Sequence, residues 1–207
     1  MPGAQNRIIA TAAKLELAPL GFNRHGQSRL WVADHGSWLN IVGFVPSRWT
    51  VTVDLDNAAH WLWAGTGFMS LNFVCPRVAR AEFENEAQFS AALAEISKSA
   101  AIRAQEIERR FPSFEAIASH VINEATGDDR MGPSWWGYYA GIASGLIGDF
   151  RKGEAFLRGI TDKRVLPHTK DLLGSLGNPS RFRAVVNERM AKQRAALKLV
   201  ALERPSF

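Results

Sequence analysis

The sequence predicts an α+β protein in which a mainly antiparallel sheet of about four strands is followed by a helical region. Short alternating segments separated by turn residues lie between positions 28 and 74, and apolar residues at helical spacing cover most of the rest. Five of the seven tryptophans fall between Leu30 and Cys75, which indicates that this part of the chain forms the sheet and its core.

Four segments carry the strand pattern, and the short connections between them favour an antiparallel meander. The predicted strands are 28–33, 38–45, 49–56 and 68–74. The second is apolar on both faces, as in a central strand. The third alternates most cleanly, with Trp49, Val51, Val53 and Leu55 on one face and Thr50, Thr52, Asp54 and Asp56 on the other.

Helical spacing flanks these strands on both sides. The predicted helices are 7–17, 85–110, 113–123, 135–147, 150–160, 166–176 and one beginning near Asn178. We expect the N-terminal helix and the long central helix, which Asn85 and Gln88 cap and Phe83 staples, to pack on the sheet. The loop 126–133 divides the chain into a sheet region, 1–125, and a helical region, 134–207, which we expect to form one compact body.

The two helices on either side of Gly148 and Asp149 resemble a single tetratricopeptide-type hairpin. Such repeats bury their apolar faces against neighbouring repeats. Because the pattern occurs once, the sequence does not indicate a repeat array.

Composition and charge limit the classes of function. The chain carries no apolar run of the ~20 residues that span a membrane, and its start lacks the features of a signal peptide, so we expect a cytoplasmic protein without a membrane partner. The lone Cys75 fits a buried, inert thiol in a reducing compartment. Positions 131–207 hold 13 basic and 6 acidic residues, an asymmetry that can indicate an anionic partner.

Three residues form a candidate acid–base or metal site. Alternation places Asp54 and Asp56 on one face of a strand, about 7 Å apart, and His60 has the same parity if the strand continues. Two carboxylates and an imidazole can hold a divalent ion or share proton transfer. The alternative is a solvated sheet face, since Thr50 and Thr52 continue the polar row. No cofactor motif accompanies them.

Aromatic residues suggest two binding surfaces. One comprises His60, Trp61 and Trp63; the other comprises Trp135, Trp136 and Tyr139. Either could stack a flat ligand or face a partner. The alternative for the first is core packing between the sheet and the helices, and the alternative for the second is packing between the helical region and the sheet.

The C-terminal helix carries a candidate anion or nucleic-acid surface at Arg183, Lys192 and Arg194. No helix-turn-helix or RNA-recognition signature accompanies it. A solvated helix face is the alternative.

Short motifs in the first part of the chain resemble a known family. They are Leu20-Gly21-Phe22 with Arg24 and Gly26, Trp38 with Ile41-Val42 and Phe44, Ser47-Arg48-Trp49, and Ala59-His60-Trp61-Leu62-Trp63. In that order they resemble the bacterial family domain of unknown function forty-three-oh-four, over the first third to half of the chain. The resemblance implies a bacterial cytoplasmic protein with a small sheet and helices, and it implies no activity or catalytic residue.

Three functions follow from these observations. The first is a non-enzymatic protein-interaction or accessory module, such as an adaptor or a toxin-neutralising or defence-associated protein, with another protein as partner. The second is a metal-assisted hydrolase that uses Asp54, Asp56 and His60. The third is nucleic-acid binding through the basic C-terminal helix.

Overall fold

A computed structural model describes residues 2–47, 52–77, 79–127, 132–204 and 206–207. It confirms the α+β class, with an antiparallel sheet and helices. The chain divides into two compact units: the first is Met1–Trp61 with Ser70–Arg110, and the second is Leu62–Met69 with Phe111–Phe207. The division thus falls after Arg110 rather than in the loop at 126–133, and a segment from the sheet sequence belongs to the second unit.

The sheet of the first unit has six strands over the described residues. They are β1 Asn23–Arg24, β2 Leu30–Asp34, β3 Trp38–Pro46, β4 Thr52–Trp61, β5 Phe73–Val74 and β6 Arg80–Glu82. Their order is β1-β2-β3-β4-β5, and β6 also pairs with β4. All pairs are antiparallel, and the ladder between β3 and β4 runs from Trp38↔Trp61 to Pro46↔Val53.

Two strand predictions need correction. The segment 68–74 forms a strand only at Phe73–Val74, and Ser70 and Asn72 before it bind His60 through their side chains. The strand predicted at 49–56 continues to Trp61. The predicted places of Trp49, Thr50 and Val51 lie outside the described residues.

The core of the first unit joins two helices to one face of the sheet. The helices are α1 Pro2–Leu17 and α2 Glu86–Arg110. Buried residues of this core are Ile9, Ala13 and Leu17 from α1, Phe89, Leu93 and Ala100 from α2, and Val42, Phe44, Val53 and Leu55 from the sheet. The packing of both helices on the sheet is therefore confirmed.

Polar side chains fix α2 in place. The Asn40 and Asn57 amides, both buried, donate to the carbonyls of Ala104 (2.9 Å) and Ala100 (3.0 Å). At the start of the helix, Asn85 Oδ1 accepts from the Gln88 backbone N–H at 2.9 Å. The Phe83 ring lies edge-on to Phe89, 5.1 Å away. The predicted cap and staple are both confirmed.

The second unit contains five α-helices among its described residues. They are α3 Phe114–Gly127, α4 Trp135–Leu146, α5 Phe150–Arg158, α6 Lys170–Leu173 and α7 Pro179–Ala196. Asp149 and Asn178 cap α5 and α7 by accepting from the backbone N–H groups of Lys152 and Arg181, both at 3.0 Å. The likeness of the α4–α5 hairpin to a tetratricopeptide unit stays a prediction.

The helix predicted at 166–176 is wrong in extent. Residues Leu166–His168 form a 3-10 turn, and only Lys170–Leu173 is α-helical. The hydroxyls of Thr169 and Ser175 donate to the carbonyls of Leu166 (2.9 Å) and Leu172 (2.9 Å). Such local bonds compete with a continuous helix. No helix among the described residues has the length and apolar character needed to cross a membrane.

Side chains of the helices hold the segment Leu62–Met69 within the second unit. The Tyr138 hydroxyl donates to the Ala64 carbonyl at 2.6 Å and accepts from Arg189 at 2.9 Å. The buried Gln193 amide accepts from the Gly67 N–H and donates to the Phe68 carbonyl at 2.8 Å. These bonds satisfy backbone groups of a segment that forms no ladder.

We expect alanine substitutions at two glycines of this segment to lower the free energy of unfolding by different amounts. Gly65 and Gly67 both have positive φ, +62° and +82°. A Cβ at Gly65 would lie 2.8 Å from Arg189 Cβ, whereas a Cβ at Gly67 meets nothing within 4 Å. Gly67→Ala should cost about 1 to 2 kcal/mol from backbone strain alone. Gly65→Ala should cost a further 1 to 3 kcal/mol, roughly, from overpacking.

Chemical denaturation of both variants measures this difference. Gly67→Ala is the matched control, because it carries the strain without the contact. Equal losses of unfolding free energy would contradict the close approach of Arg189 to Gly65.

Candidate functional site

His60 is a fully buried residue of β4. Its Nδ1 lies 3.0 Å from Asn72 Oδ1 and 3.1 Å from Ser70 Oγ. Asn72 Oδ1 also accepts from the Trp61 backbone N–H at 2.8 Å. Burial lowers the pKa of His60 to about 4, although the hydrogen bonds to Asn72 and Ser70 oppose this shift. The imidazole is therefore neutral at pH 7 and joins the end of β4 to residues 70–72.

The two carboxylates predicted to act with His60 are bound to arginines. Asp56 accepts from Arg77 Nε at 2.5 Å and from a second guanidinium nitrogen at 2.9 Å. Asp54 accepts from Arg80 Nε at 2.7 Å, and Arg77 lies 3.8 Å from it. The Asp56–Arg77 pair is bidentate, a geometry found among the stronger ionic hydrogen bonds. Each carboxylate therefore already has a cationic partner.

The predicted metal site at Asp54, Asp56 and His60 does not form. No group of three His, Cys, Asp or Glu side chains could hold a metal ion within the part of the chain that the structure describes. A divalent ion would have to displace the guanidinium of Arg77 from Asp56. The alternative of a solvated face is also wrong, because Thr52, Asp56 and His60 are buried.

The aromatic pair at the end of β4 belongs to the interior. Trp61 and Trp63 are both fully buried. In the first unit, Trp61 lies edge-on to Trp38, with ring centroids 6.2 Å apart. In the second unit, Trp63 lies edge-on to Phe114 at 5.7 Å and to Tyr139 at 6.2 Å. Core packing accounts for both rings, so neither is open to stack a ligand.

The aromatic residues that begin α4 pack on one another. Trp135 stacks on Tyr139 at 6.0 Å, and Trp136 lies edge-on to Tyr139 at 5.9 Å and to His120 at 5.8 Å. Tyr139 is 6% exposed, and the two tryptophans are partly buried. These rings therefore contact one another and His120, and their role as a binding surface stays a prediction.

The basic residues predicted on the C-terminal helix do not form one surface. Arg194 is only 4% exposed, and its guanidinium donates to the Val200 carbonyl at 3.0 and 2.6 Å. Its predicted role in anion binding is therefore wrong. Lys192 is exposed and pairs with Glu188 at 2.6 Å, and Arg183 is exposed.

The turn after α7 explains why Arg194 is buried. Lys198 has a φ of +56°, and Leu199 donates from its backbone N–H to the Arg194 carbonyl at 2.9 Å. This bond and the Lys198-to-Ala195 bond form a Schellman motif, which turns the chain back over the helix end. The side chain of Val200, beyond this turn, is 82% exposed.

An open groove of about 1030 Å³ lies in the first unit, along α1 and the turn between β1 and β2. Its lining includes Arg7, Thr11, Lys14, Leu15, Arg24 and Gln27. No acidic residue, histidine or cysteine lines it within the described residues. The side chain of Leu15 is 71% exposed. The groove combines positive charge with exposed apolar surface.

Sequence reasoning missed the partners of the predicted site residues. Ser70 and Asn72 fall within the predicted strand 68–74, and Arg77 and Arg80 are not among the predicted site residues. A signal for Arg80 existed, because opposite charges often face each other across antiparallel strands and Arg80 pairs in register with Asp54. No local pattern indicates that Arg77, 21 residues along the chain, binds Asp56.

Comparisons with known proteins return no match among protein-family models, curated proteins or solved structures. The resemblance to domain of unknown function forty-three-oh-four stays a prediction from short motifs.

The buried His60 predicts a loss of stability in mild acid. The unfolded chain protonates this imidazole near its ordinary pKa of 6.5, whereas the folded chain does so only at about pH 4. The neutral ring therefore contributes to the free energy of unfolding. This contribution is fully present above pH 6.5 and is lost as the pH falls toward 4, by up to about 3 kcal/mol. Denaturation at a series of pH values should show the slope, and His60→Gln should reduce it.

A direct readout and a control accompany this prediction. The His60 imidazole resonances should shift with a midpoint at about pH 4. His25→Gln, a substitution in the same unit at a partly buried position, should keep the slope. A His60 midpoint at its ordinary value, or an unchanged slope in His60→Gln, would contradict the burial of a neutral ring.

Proposed function

We propose that the chain is a non-enzymatic protein-interaction module, of the adaptor or accessory type, that acts on another protein. The observation that supports this most is the open groove along α1, which carries cations and exposed apolar surface and has no acidic residue, histidine or cysteine among its described lining residues. Interfaces commonly combine apolar contacts with a polar rim. A binding surface without proton-transfer groups suits recognition better than catalysis.

The charges of the groove favour a partner of opposite charge. Arg7 and Lys14 are exposed on α1 and line the groove together with Thr11 and Leu15. Arg24 is held by bonds from its guanidinium to the carbonyls at 28 (2.6 Å) and 27 (2.9 Å). Complementary charge gives an interface its specificity and its association rate. The expected partner segment therefore carries acidic side chains beside an apolar one.

The positive charge of the groove favours some kinds of accessory protein over others. An inhibitor of a cationic nuclease would present acidic surface to its target, and the groove has the opposite sign. We therefore favour an adaptor, or a defence-associated partner of an acidic protein, over a toxin-neutralising role of that kind. The metal-assisted hydrolase is not retained, because its three residues do not form a site.

The proposed setting is the cytoplasm of a bacterium. Cys75 is buried, and burial raises the pKa of its thiol, which suits an inert cysteine in a reducing compartment.

Charge reversal in the groove tests the proposal. The full chain carrying Arg7→Glu and Lys14→Glu should lose its partner, with affinity reduced roughly tenfold or more, because like charges then face each other. Affinity purification from the organism that encodes the chain, with quantitative mass spectrometry, measures recovery of each co-purified protein.

The matched control reverses two exposed cations of α2 in the same unit. Lys98→Glu with Arg109→Glu changes net charge equally and lies outside the groove. A partner that is recovered with this control and lost with the groove variant supports the proposal. Equal recovery with both variants, or no specific partner of the wild-type chain, would contradict it.

A further inference from the structure

A second cationic groove, of about 390 Å³, lies between α6 and α7 in the second unit. Four cations line it, namely Lys170, Arg181, Arg189 and Lys192. Two carboxylates, Asp171 and Glu188, also line it, so four positive charges against two negative ones leave a net charge of +2. Residues of this groove are distinct from those of the groove along α1.

The two carboxylates compensate this charge only weakly. Glu188 pairs with Lys192 at 2.6 Å, but the two side chains are 66% and 74% exposed. Asp171 is 73% exposed and lies 3.7 Å from Arg189. Solvent-exposed pairs contribute about 0 to 1 kcal/mol. A ligand that forms charge-assisted bonds can therefore compete with both carboxylates.

Arg189 is held in place from within the unit. Its side chain is 15% exposed, and it donates to the Tyr138 hydroxyl at 2.9 Å. Burial raises the pKa of Tyr138 to about 12, so this hydroxyl stays protonated and donates onward to the Ala64 carbonyl at 2.6 Å. The guanidinium therefore occupies a fixed position in the groove lining, and this reduces the ordering cost of binding.

We propose that the α6–α7 groove binds a multiply charged oxyanion of the phosphate class. Arg181 and Arg189 supply planar guanidinium groups, which match phosphate oxygens in pairs, and Lys170 and Lys192 supply point charges. Arg181 also lies in the first turn of α7, an 18-residue helix whose N-terminus favours negative charge.

The structure favours a discrete site over a nucleic-acid track along α7. Such a track needs cations that follow a phosphate backbone. Arg194 is buried against the Val200 carbonyl, and Arg183 does not line the groove. The cations that share one concavity instead come from two helices.

Titration of the full chain with inorganic phosphate and with pyrophosphate tests the site. Isothermal titration calorimetry at low ionic strength should show saturable binding at one site, tighter for pyrophosphate. Arg181→Gln should weaken binding on the order of tenfold, because it removes a charge-assisted pair. Arg183→Gln is the matched control, since both arginines are exposed on α7 and only Arg181 lines the groove.

A second measurement separates the site from general attraction to a basic helix. Amide chemical shifts on adding pyrophosphate should change at Gly174 and Val185, which line the groove. Equal weakening by Arg181→Gln and Arg183→Gln, shifts elsewhere, or no saturable binding would overturn the proposal. Tighter binding of a short single-stranded oligonucleotide that both variants weaken equally would also overturn it, in favour of a nucleic-acid track.

Discussion

Where β4 ends, the backbone leaves the sheet, and buried side chains take over its hydrogen bonds. Asn72 accepts from the N–H of Trp61 in the first unit. In the second unit, Tyr138 and Gln193 bind backbone groups of the segment Leu62–Met69. A buried backbone group without a partner costs about 1 to 3 kcal/mol, so the path of the chain through both units depends on these few side chains.

Buried polar groups need partners, and for this reason residue types typical of catalysis are bound within the protein here and stabilise its structure. His60 is neutral and bound at the end of β4, and Asp54 and Asp56 are bound to arginines. A general base needs a reachable proton and an open approach, and a fully buried ring has no such approach. Cationic side chains instead line two grooves among the described residues, one in each unit.

The fold was predictable from sequence where short-range patterns control it. The cap at Asn85, the staple at Phe83 and the apolar spacing of α2 each depend on residues a few positions apart. The candidate site was predictable only as a set of residue types. Whether its carboxylates are free to bind a ligand depends on partners distant in sequence, such as Arg77. The burial of Arg194 could not be predicted, since it follows from a lysine with positive φ, a conformation that sequence patterns assign to glycine.

Because eight residues, Leu62–Met69, lie between two parts of the first unit and belong to the second, the second unit is not encoded by one continuous stretch. A fragment that begins at Phe111 would retain Tyr138 and Gln193 without the backbone that they bind. The boundary after Arg110 therefore separates two spatial units, but cutting the chain there would not give a complete second unit. Any division of the chain that leaves the second unit whole must keep Leu62–Met69 together with α4 and α7, whose side chains bind its backbone.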